Sequence, residues 1–590
     1  MNKNKSDYKV ISKLFFGLLP YQILLLIINS VNAIVDSLVA SNFIGKDAMS
    51  AIGFYAPFNH LLFALSIMLV SGSQLLVGKA MGKNQMQSVQ RCFSTTLVLA
   101  AILSAAATVL LVGGAAADLT RFFVANEAER PAINWYIIGQ SLGIPALVLG
   151  QQFFSFLSLE NQTRRTMLAS IVCIAVNVAT KGLFVIVLHG GTFGLGLSST
   201  VSMFAFLAVM AQYYLAGKSD MKFQAGLFSW KDSLHIIKTG YSGALSRFAE
   251  MFRCLIVNML ILRCVGSVGL SAFAAVNSVM GIFWPLPFGM VAVTRMLLGI
   301  YIGEEDRKSV SDTMKVMLLQ GGLLQCILTV VLMLLARPFT LMFYRDLSDP
   351  VYGMTLAGFR LLPLCMPLAV ASLAFACFGQ AMDKKYLSVL LPIMDGAVSV
   401  TVFSLFMIPA WGMTGLYIAN ILNGFVCLGV VVFFAFRRSG HLPRNIDDLL
   451  LLPDSFGAAE KERMDIEVRE MPEVLEVSRQ VISFCESRSV DRRRASFAGL
   501  AMEEMAGNIV DHGFNKDSKE HALDIRVVHK GDDVILRLRD NCVAFDPLER
   551  VKILDGKDEA ANIGIRLVNG IAKDVQYQNL LGLNVLTIRI

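Results

Sequence analysis

Gly78-Lys-Ala-Met-Gly82, with Ser88-Val89 shortly after it, returns 221 residues later as Gly299-Ile-Tyr-Ile-Gly303 with Ser309-Val310. At the same offset Gly45, Ser50 and Ala51 match Gly266, Ser271 and Ala272, and Gly191, Gly194 and Leu195 match Gly412, Gly415 and Leu416. Leu and Val matches are cheap between apolar segments, whereas loop glycines held in one register across most of a half are not. Each half of this repeat holds six apolar runs long enough for a bilayer, which takes ~20 helical residues. They lie near 14–40, 49–78, 93–115, 132–158, 166–188 and 192–216, then near 234–264, 268–300, 313–336, 355–378, 387–410 and 413–436. Six helices per half give both halves the same topology, related by an axis along the membrane normal. Architectures of that kind bind substrate between the lobes and rock them. The reading is an all-α polytopic membrane protein of 12 helices in two six-helix lobes, 1–225 and 226–437, followed by a linker, 438–463, and a tail domain, 464–590.

Composition agrees. Of 590 residues 55% are hydrophobic and 16% charged, against about 25% charged in soluble chains. The apolar runs stop near Arg437, and the remaining residues have ordinary soluble composition. The first run, from about Ile11 to Ala40, is too long for a signal-peptide core and lacks a small-residue cleavage site, so it reads as a retained helix. The net charge of +7 comes from short loops between apolar runs and is no nucleic-acid footprint. The ten cysteines are scattered without a C-x-x-C, which speaks against a disulfide framework or a zinc site. Loops after even-numbered helices carry Lys79, Lys83, Arg91, Arg164, Arg165, Lys218, Lys222, Lys231, Lys238, Arg307, Lys308, Lys315, Lys384 and Lys385. Those after odd-numbered helices hold only Lys46, Arg121, Arg130, Arg263, Arg337 and Arg345. Positive-inside bias then puts both termini in the cytoplasm.

The stretch Asn32-Ala-Ile-Val-Asp36, Phe43-Ile-Gly45, Ala51-Ile-Gly53 and Gly78-Lys-Ala-Met-Gly82 resembles the opening of the MATE multidrug and toxin extrusion family, over roughly residues 10–435. That resemblance implies a bacterial inner-membrane exporter of amphipathic, cationic small molecules, coupled to H+ or Na+. It implies that Asp36 binds the coupling ion and that Asn177 helps form the same cavity. Lys181 stands where the family usually has Asp, a charge reversal that weighs against a sodium site in this lobe.

Ionisable groups inside spans are costly and point to function. Asp36 and Lys181 both fall in the outer halves of their helices, so they can meet across one lobe. Such a pair is either broken by proton or substrate during the cycle or is a static pair fixing helix register. Glu250 lies mid-span with Arg247 and Arg253 three residues to either side, neighbours on a helix. Asp395, near Pro392, is a further candidate of the same kind. The resemblance assigns acidic residues of this lobe to contacts with cationic substrate. Gly217-Lys218-Ser219 is the nearest fragment to a P-loop, but Gln212 stands where the first glycine belongs, which leaves a secondary transporter.

In the tail, helices are expected near 471–487, 491–513 and 564–574, with strands near 523–529, 532–540 and 585–590. Glu503-Glu504-Met-Ala-Gly-Asn508-Ile-Val-Asp-His512-Gly513-Phe resembles the N-box of the GHKL superfamily, closest to bacterial anti-sigma serine kinases. Asp540-Asn-Cys542-Val-Ala544-Phe-Asp546-Pro and Gly564-Ile-Arg566-Leu-Val resemble its next two boxes, and Gly582-Leu-Asn584 before a closing strand also fits. The resemblance implies Mg-ATP as cofactor. Asn508 would ligate Mg2+, Glu504 would orient or deprotonate an attacking hydroxyl, and Asp540 would hydrogen-bond the adenine amino group. His512, Asp546, Gly564 and Arg566 complete the expected nucleotide site. Cys542, Ala544 and Arg566 replace usual glycines, adding side chains where backbone would approach base or phosphate. His441 lies in the linker and His512 in the N-box, so no phospho-accepting dimerisation helix precedes the domain and a histidine kinase is disfavoured. Two functions compete: an exporter regulated by its ATP-binding tail, and a transporter-derived sensor that controls a serine/threonine kinase module acting on a STAS-like or sigma-factor-like protein.

Overall fold

The computed structural model describes residues 6–122, 127, 129–453, 456–458, 460–516, 521–547 and 563–590. Apolar runs become helices almost without interruption up to Ser439. In chain order they are α1 (Ser6–Val39), α2 (Lys46–Gly82), α3 (Met86–Ala116), α4 (Arg130–Ser141), α5 (Ile144–Leu159), α6 (Thr163–Lys181), α7 (Gly191–Leu215) and α8 (Trp230–Cys264). There follow α9 (Ser267–Phe283), α10 (Pro285–Gly303), α11 (Arg307–Lys315), α12 (Gly322–Leu334), α13 (Ala336–Phe343), α14 (Pro350–Leu361), α15 (Cys365–Ala381), α16 (Leu391–Ile393) and α17 (Ser399–Ser439). Ten helical stretches among the described residues are long and apolar enough to cross a membrane. α8 has the length, but Arg247, Glu250 and Arg253 crowd its middle. The expected spans at 387–410 and 413–436 run on as one stretch bent at Trp411-Gly412, where Gly412 takes φ +56°.

Equivalent glycines of the repeat pack on one another where α2 crosses α10. A Cβ at Gly78 would stand 3.1 Å from Gly299 Cα, one at Gly82 would overlap the Ile300 carbonyl, and one at Gly303 the Lys79 carbonyl. Between α2 and α8 the approach is as close, because a Cβ at Gly240 would overlap the Met68 carbonyl and one at Gly72 that of Ile236. Small residues are what permit backbones to meet in lipid, where no hydrophobic force drives helices together.

The tail is a five-stranded antiparallel sheet in the order β1-β2-β3-β5-β4, formed by β1 (Arg463–Val468), β2 (Leu523–Lys530), β3 (Asp533–Asp540), β4 (Asp574–Leu580) and β5 (Leu583–Arg589). A short linker helix, α18 (Ile446–Leu450), precedes it; α19 (Met471–Glu486), α20 (Arg492–Asn508) and α21 (Ile563–Ile571) belong to the domain. Strand alternation sorts side chains by face: Leu523, Ile525, Val527, Val534, Leu536, Leu538, Leu586 and Ile588 join Val474, Val481, Ala501 and Met502 of the helices in one core. A capping box between Glu470 and Glu473 starts α19. β1 and β4 are not legible as strands in the sequence. The helix expected to reach 574 stops at Ile571, and Asp574-Val-Gln-Tyr-Gln-Asn-Leu, with little apolar content, is held as an edge strand by β5. The linker is also more ordered than its prolines suggest: Lys384 Nζ donates to the carbonyls of Leu450 (2.5 Å) and Leu451 (2.8 Å), and Lys315 pairs with Asp447 at 2.8 Å.

Candidate functional site

In the N-terminal half, Lys181 Nζ lies 2.6 Å from Asp36 Oδ1, with 1% and 16% of the two side chains exposed. Lys181 also donates to Asn177 Oδ1, Asn177 Nδ2 donates to Ser202 Oγ (3.1 Å), and Ser199 Oγ donates to Asp36 Oδ1 (3.3 Å). α1, α6 and α7 thus supply one closed polar chain inside otherwise apolar helices. Lys181 ends α6 and leads into a π-helical turn, Gly182–Val187, a distortion often found at functional sites. Nothing in the sequence marks Ser199 and Ser202, since serine in a span usually just bonds its own helix.

The C-terminal half carries a second polar group. Asp395 sits in the π-helical turn Met394–Val398; its Oδ1 accepts from Asn423 Nδ2 (2.6 Å) and its Oδ2 from Ser372 Oγ (3.4 Å). Arg253 Nη1 donates to the Asp395 carbonyl (3.4 Å), and Arg253 Nη2 lies 3.8 Å from Glu250, whose other oxygen pairs with Arg247 at 2.9 Å. The Arg247 guanidinium also faces the Phe288 ring at 4.5 Å and the Phe63 ring at 5.8 Å, a favourable placement for a cation. Asn423 follows Ser202 by the 221-residue offset, and Arg253 follows Asn32. These two positions correspond across the repeat, whereas the carboxylates do not: Asp36 matches Val257 and Asp395 matches Ile174.

In the tail, Asn508 closes α20 and opens the π-helical turn Ile509–Gly513. Glu504, one turn earlier, lies so close to Gly564 that a Cβ there would overlap its carboxylate. Asp540 is 6% exposed; its Oδ1 accepts from Cys542 N (2.9 Å) and Asn584 Nδ2 (2.7 Å). The Cys542 thiol is accommodated because Gly513 opposite it has no side chain, a Cβ there standing 3.1 Å from Sγ. Ala544 is exposed and Arg566 and Asp546 are half-buried. His512 is mostly exposed, 3.5 Å from Asp511. Residues 548–562, between the second and third boxes, lie outside the described residues. A buried carboxylate held by Asn584 and an N-box asparagine at the end of α20 are of the chemistry a nucleotide needs: Asp540 would hold the adenine amino group and Asn508 the Mg2+.

A third region joins tail to membrane helices. Glu304 Oε2 accepts from Arg539 Nη2 (2.5 Å) and Arg537 Nη1 (3.4 Å), while Asp306 pairs with Arg526 and lies 3.7 Å from Arg539. Burial opposes the Asp306 charge, yet Arg526 and Arg539 hold its carboxyl well below the usual carboxylate range. No sequence motif announces this cluster; its acids lie more than 200 residues from its arginines.

Long apolar helices with paired charges inside them, joined to an α+β domain with an N-box, define a multi-pass membrane protein of transporter fold carrying an ATPase-like domain. The MatE family model matches residues 22–181 and 244–394, and the model for a histidine kinase-like ATPase domain matches 468–590. The chain belongs to the MatE family, with a GHKL-type ATP-binding domain fused behind the transporter domain. It is 22% identical over 246 residues to the probable multidrug resistance protein NorM of Photorhabdus laumondii, covering 41% of this chain and 54% of that one. With the probable multidrug resistance protein YoeA of Bacillus subtilis it shares 23% over 203 residues, 33% of this chain and 43% of that one. The chain thus spans about half the length of the curated relatives it matches. A crystal structure of MATE in complex with MaL6 superposes with a TM-score of 0.67 at 18% identity, over 74% of this chain and 97% of that one.

Proposed function

We propose that this protein is a bacterial secondary exporter of amphipathic, cationic small molecules, driven by H+ or Na+ antiport, whose cytoplasmic tail binds Mg-ATP and regulates it. In this reading twelve spans form two six-helix lobes, 1–225 and 226–437, with both termini in the cytoplasm; a linker, 438–463, leads to the tail, 464–590. Ten stretches meet the length and apolarity of a span; α8 and the bend at Gly412 bring the total to twelve.

The observation that carries the reading is the Lys181–Asp36 pair at 2.6 Å within the spans. Taking two charges out of water is expensive, and an ionisable pair inside the spans points to function. Lys181 occupies the place a bound cation would take beside Asp36, which favours protons over sodium as the coupling ion in this lobe: protonating Asp36 releases the ammonium, and losing the proton restores the pair. Glu250 and Asp395, linked through Arg253, supply carboxylates of the other lobe for a cationic substrate. In the tail, Glu504 and Asn508 would serve phosphoryl chemistry on a nucleotide.

The test is gradient-driven efflux of fluorescent cationic drugs from vesicles holding the full chain. Asp36→Asn should abolish efflux while the protein stays folded and inserted. Wild-type efflux by that variant would remove Asp36 from the mechanism, and no efflux by the parent chain across a broad drug panel would favour the sensor reading.

A further inference from the structure

The sheet of the tail has two faces, and only one is covered by its own helices. The other presents Arg526 and Lys530 from β2, Arg537 and Arg539 from β3, and Gln578 and Leu580 from β4. An outer sheet face in a two-layer domain usually meets water. Here the guanidinium-bearing side chains of Arg526, Arg537 and Arg539 are only 9%, 16% and 10% exposed, and the acids they meet, Glu304 and Asp306, are 3% and 1% exposed. Both acids come from the turn between α10 and α11, in the C-terminal half of the membrane region. Lys530 pairs with Glu305 of the same turn, and the Arg539 guanidinium covers the Tyr301 ring at 5.3 Å.

The same face reaches the other half as well. Gln578 Nε2 donates to Asn84 Oδ1 in the turn after α2. A side chain on Gly582, in the β4–β5 turn, would run into Asn161, in the turn after α5. Leu581, at the tip of that hairpin, takes φ +54°, an outlying conformation for a bulky residue. It is 4% exposed, and with Leu580 and Val585 it joins the apolar cluster that holds Leu75, Val89, Phe156 and Met296 of the membrane helices. A buried arginine without its acid is strongly unfavourable, and so is a strained apolar tip in water, so this face is shaped for the surface it sits on. That surface lies directly beneath the crossing where Gly78 and Gly82 of one half meet Gly299 and Gly303 of the other.

We propose that the outer sheet face of the tail is a docking surface whose partner is this chain's own transporter domain, and that it braces the two halves together at the end where rocking must part them. The brace rests on the reading of the membrane region as two lobes that rock. While it is seated the cytoplasmic seam stays shut; releasing it frees the halves. The part of the sheet face that carries Arg526, Arg539 and Leu580 is therefore taken, and a separate protein would have to address the helical, nucleotide-binding side of the tail.

Two arms on the full chain in inverted membrane vesicles test this, and the first needs no substrate. Ser71, whose hydroxyl donates to the Gly240 carbonyl at 3.2 Å, marks the seam. Ser71→Cys should be shielded from an impermeant maleimide above the labelling of the parent chain's own cysteines. Adding Glu304→Arg, which sets a third cation against Arg537 and Arg539, should raise its labelling rate roughly tenfold, and Glu304→Gln, which removes the charge but keeps an acceptor, should raise it less. Unchanged labelling on reversal overturns the brace. In the second arm Asn84→Cys and Gln578→Cys are joined by a short bis-methanethiosulfonate reagent, whose length matches a contact between two side-chain ends and whose disulfides can be reduced. The crosslink should form in the folded protein and, where the parent transports, stop efflux until it is reduced. Failure to crosslink overturns the docking; efflux that continues through a completed crosslink overturns the bracing. A parent chain that moves no drug but passes the labelling arm would sink the exporter reading and leave the brace standing.

Discussion

Lys181 Nζ sits 2.6 Å from Asp36 Oδ1, and the same ammonium donates to Asn177, one helical turn before it on α6. Two functions are folded into that contact, charge neutralisation and the joining of α1 to α6, and substitutions can separate them. Lys181→Ala leaves Asp36 without its cation and should destabilise the protein by about 3–5 kcal/mol. Asp36→Leu with Lys181→Met removes both charges and should recover most of that loss while efflux stays dead. Thermal unfolding in detergent, alongside vesicle efflux, reads the two apart.

At Gly240 there is no room for a methyl group, because it would overlap the Met68 carbonyl across the α2–α8 contact. Gly240→Ala must push the two helices apart. It should lower stability by about 1–3 kcal/mol, the usual range for overpacking. Gly17, inside α1 where an added Cβ would meet no neighbour, is the control: Gly17→Ala should not lower the unfolding temperature.

Glu160 gives the chain a pH dependence outside the spans. Burial pushes its carboxyl up to about 7, against hydrogen bonds from Ser219 Oγ (2.6 Å) and Met221 N (3.4 Å). In the unfolded chain a glutamate titrates near about 4.3. The fold therefore favours the protonated form: this contribution is fully present below about pH 4 and is lost as pH rises to about 7, a loss on the order of 3 kcal/mol. Glu160→Gln keeps the shape without ionising. Its unfolding temperature relative to wild type should rise from pH 5 to pH 8, and a constant difference would show that Glu160 ionises normally.

For the tail, the full chain should bind ATP with a magnesium dependence that Asn508→Ala removes. Glu504→Ala should spare binding and stop any phosphoryl transfer to a Ser or Thr of a partner protein. Titration calorimetry with ATP, with and without Mg2+, measures the first. Absence of binding at millimolar ATP would make the domain a docking module with no nucleotide role.

Much of this molecule could be read from its residues. Apolar runs of span length must become helices in lipid, since an unpaired backbone has no other partner there, and the 221-residue repeat of glycines was visible along the chain, although Gly78, Gly82, Gly299 and Gly303 lie in helices and not in loops. The ordered boxes around Asn508, Asp540 and Gly564 marked the tail domain for the same reason: local spacing on one helix or turn is visible along a chain. β4 was missed because an edge strand with few apolar residues owes its conformation to β5 beside it. Ser199, Ser202, Ser372 and Asn423 were missed because their roles exist only across helices. The cluster of Glu304 and Asp306 with Arg526, Arg537 and Arg539 was beyond reach altogether. Alternating arginines on a strand read as a solvated face, and only the packing of the tail against the membrane helices turns them into buried partners. Sequence by itself determined the helices, the repeat and the two domains, because hydropathy and backbone hydrogen bonding act locally. The tertiary structure alone decided which charges meet, because Coulomb interactions and desolvation depend on distances that the order of residues does not contain.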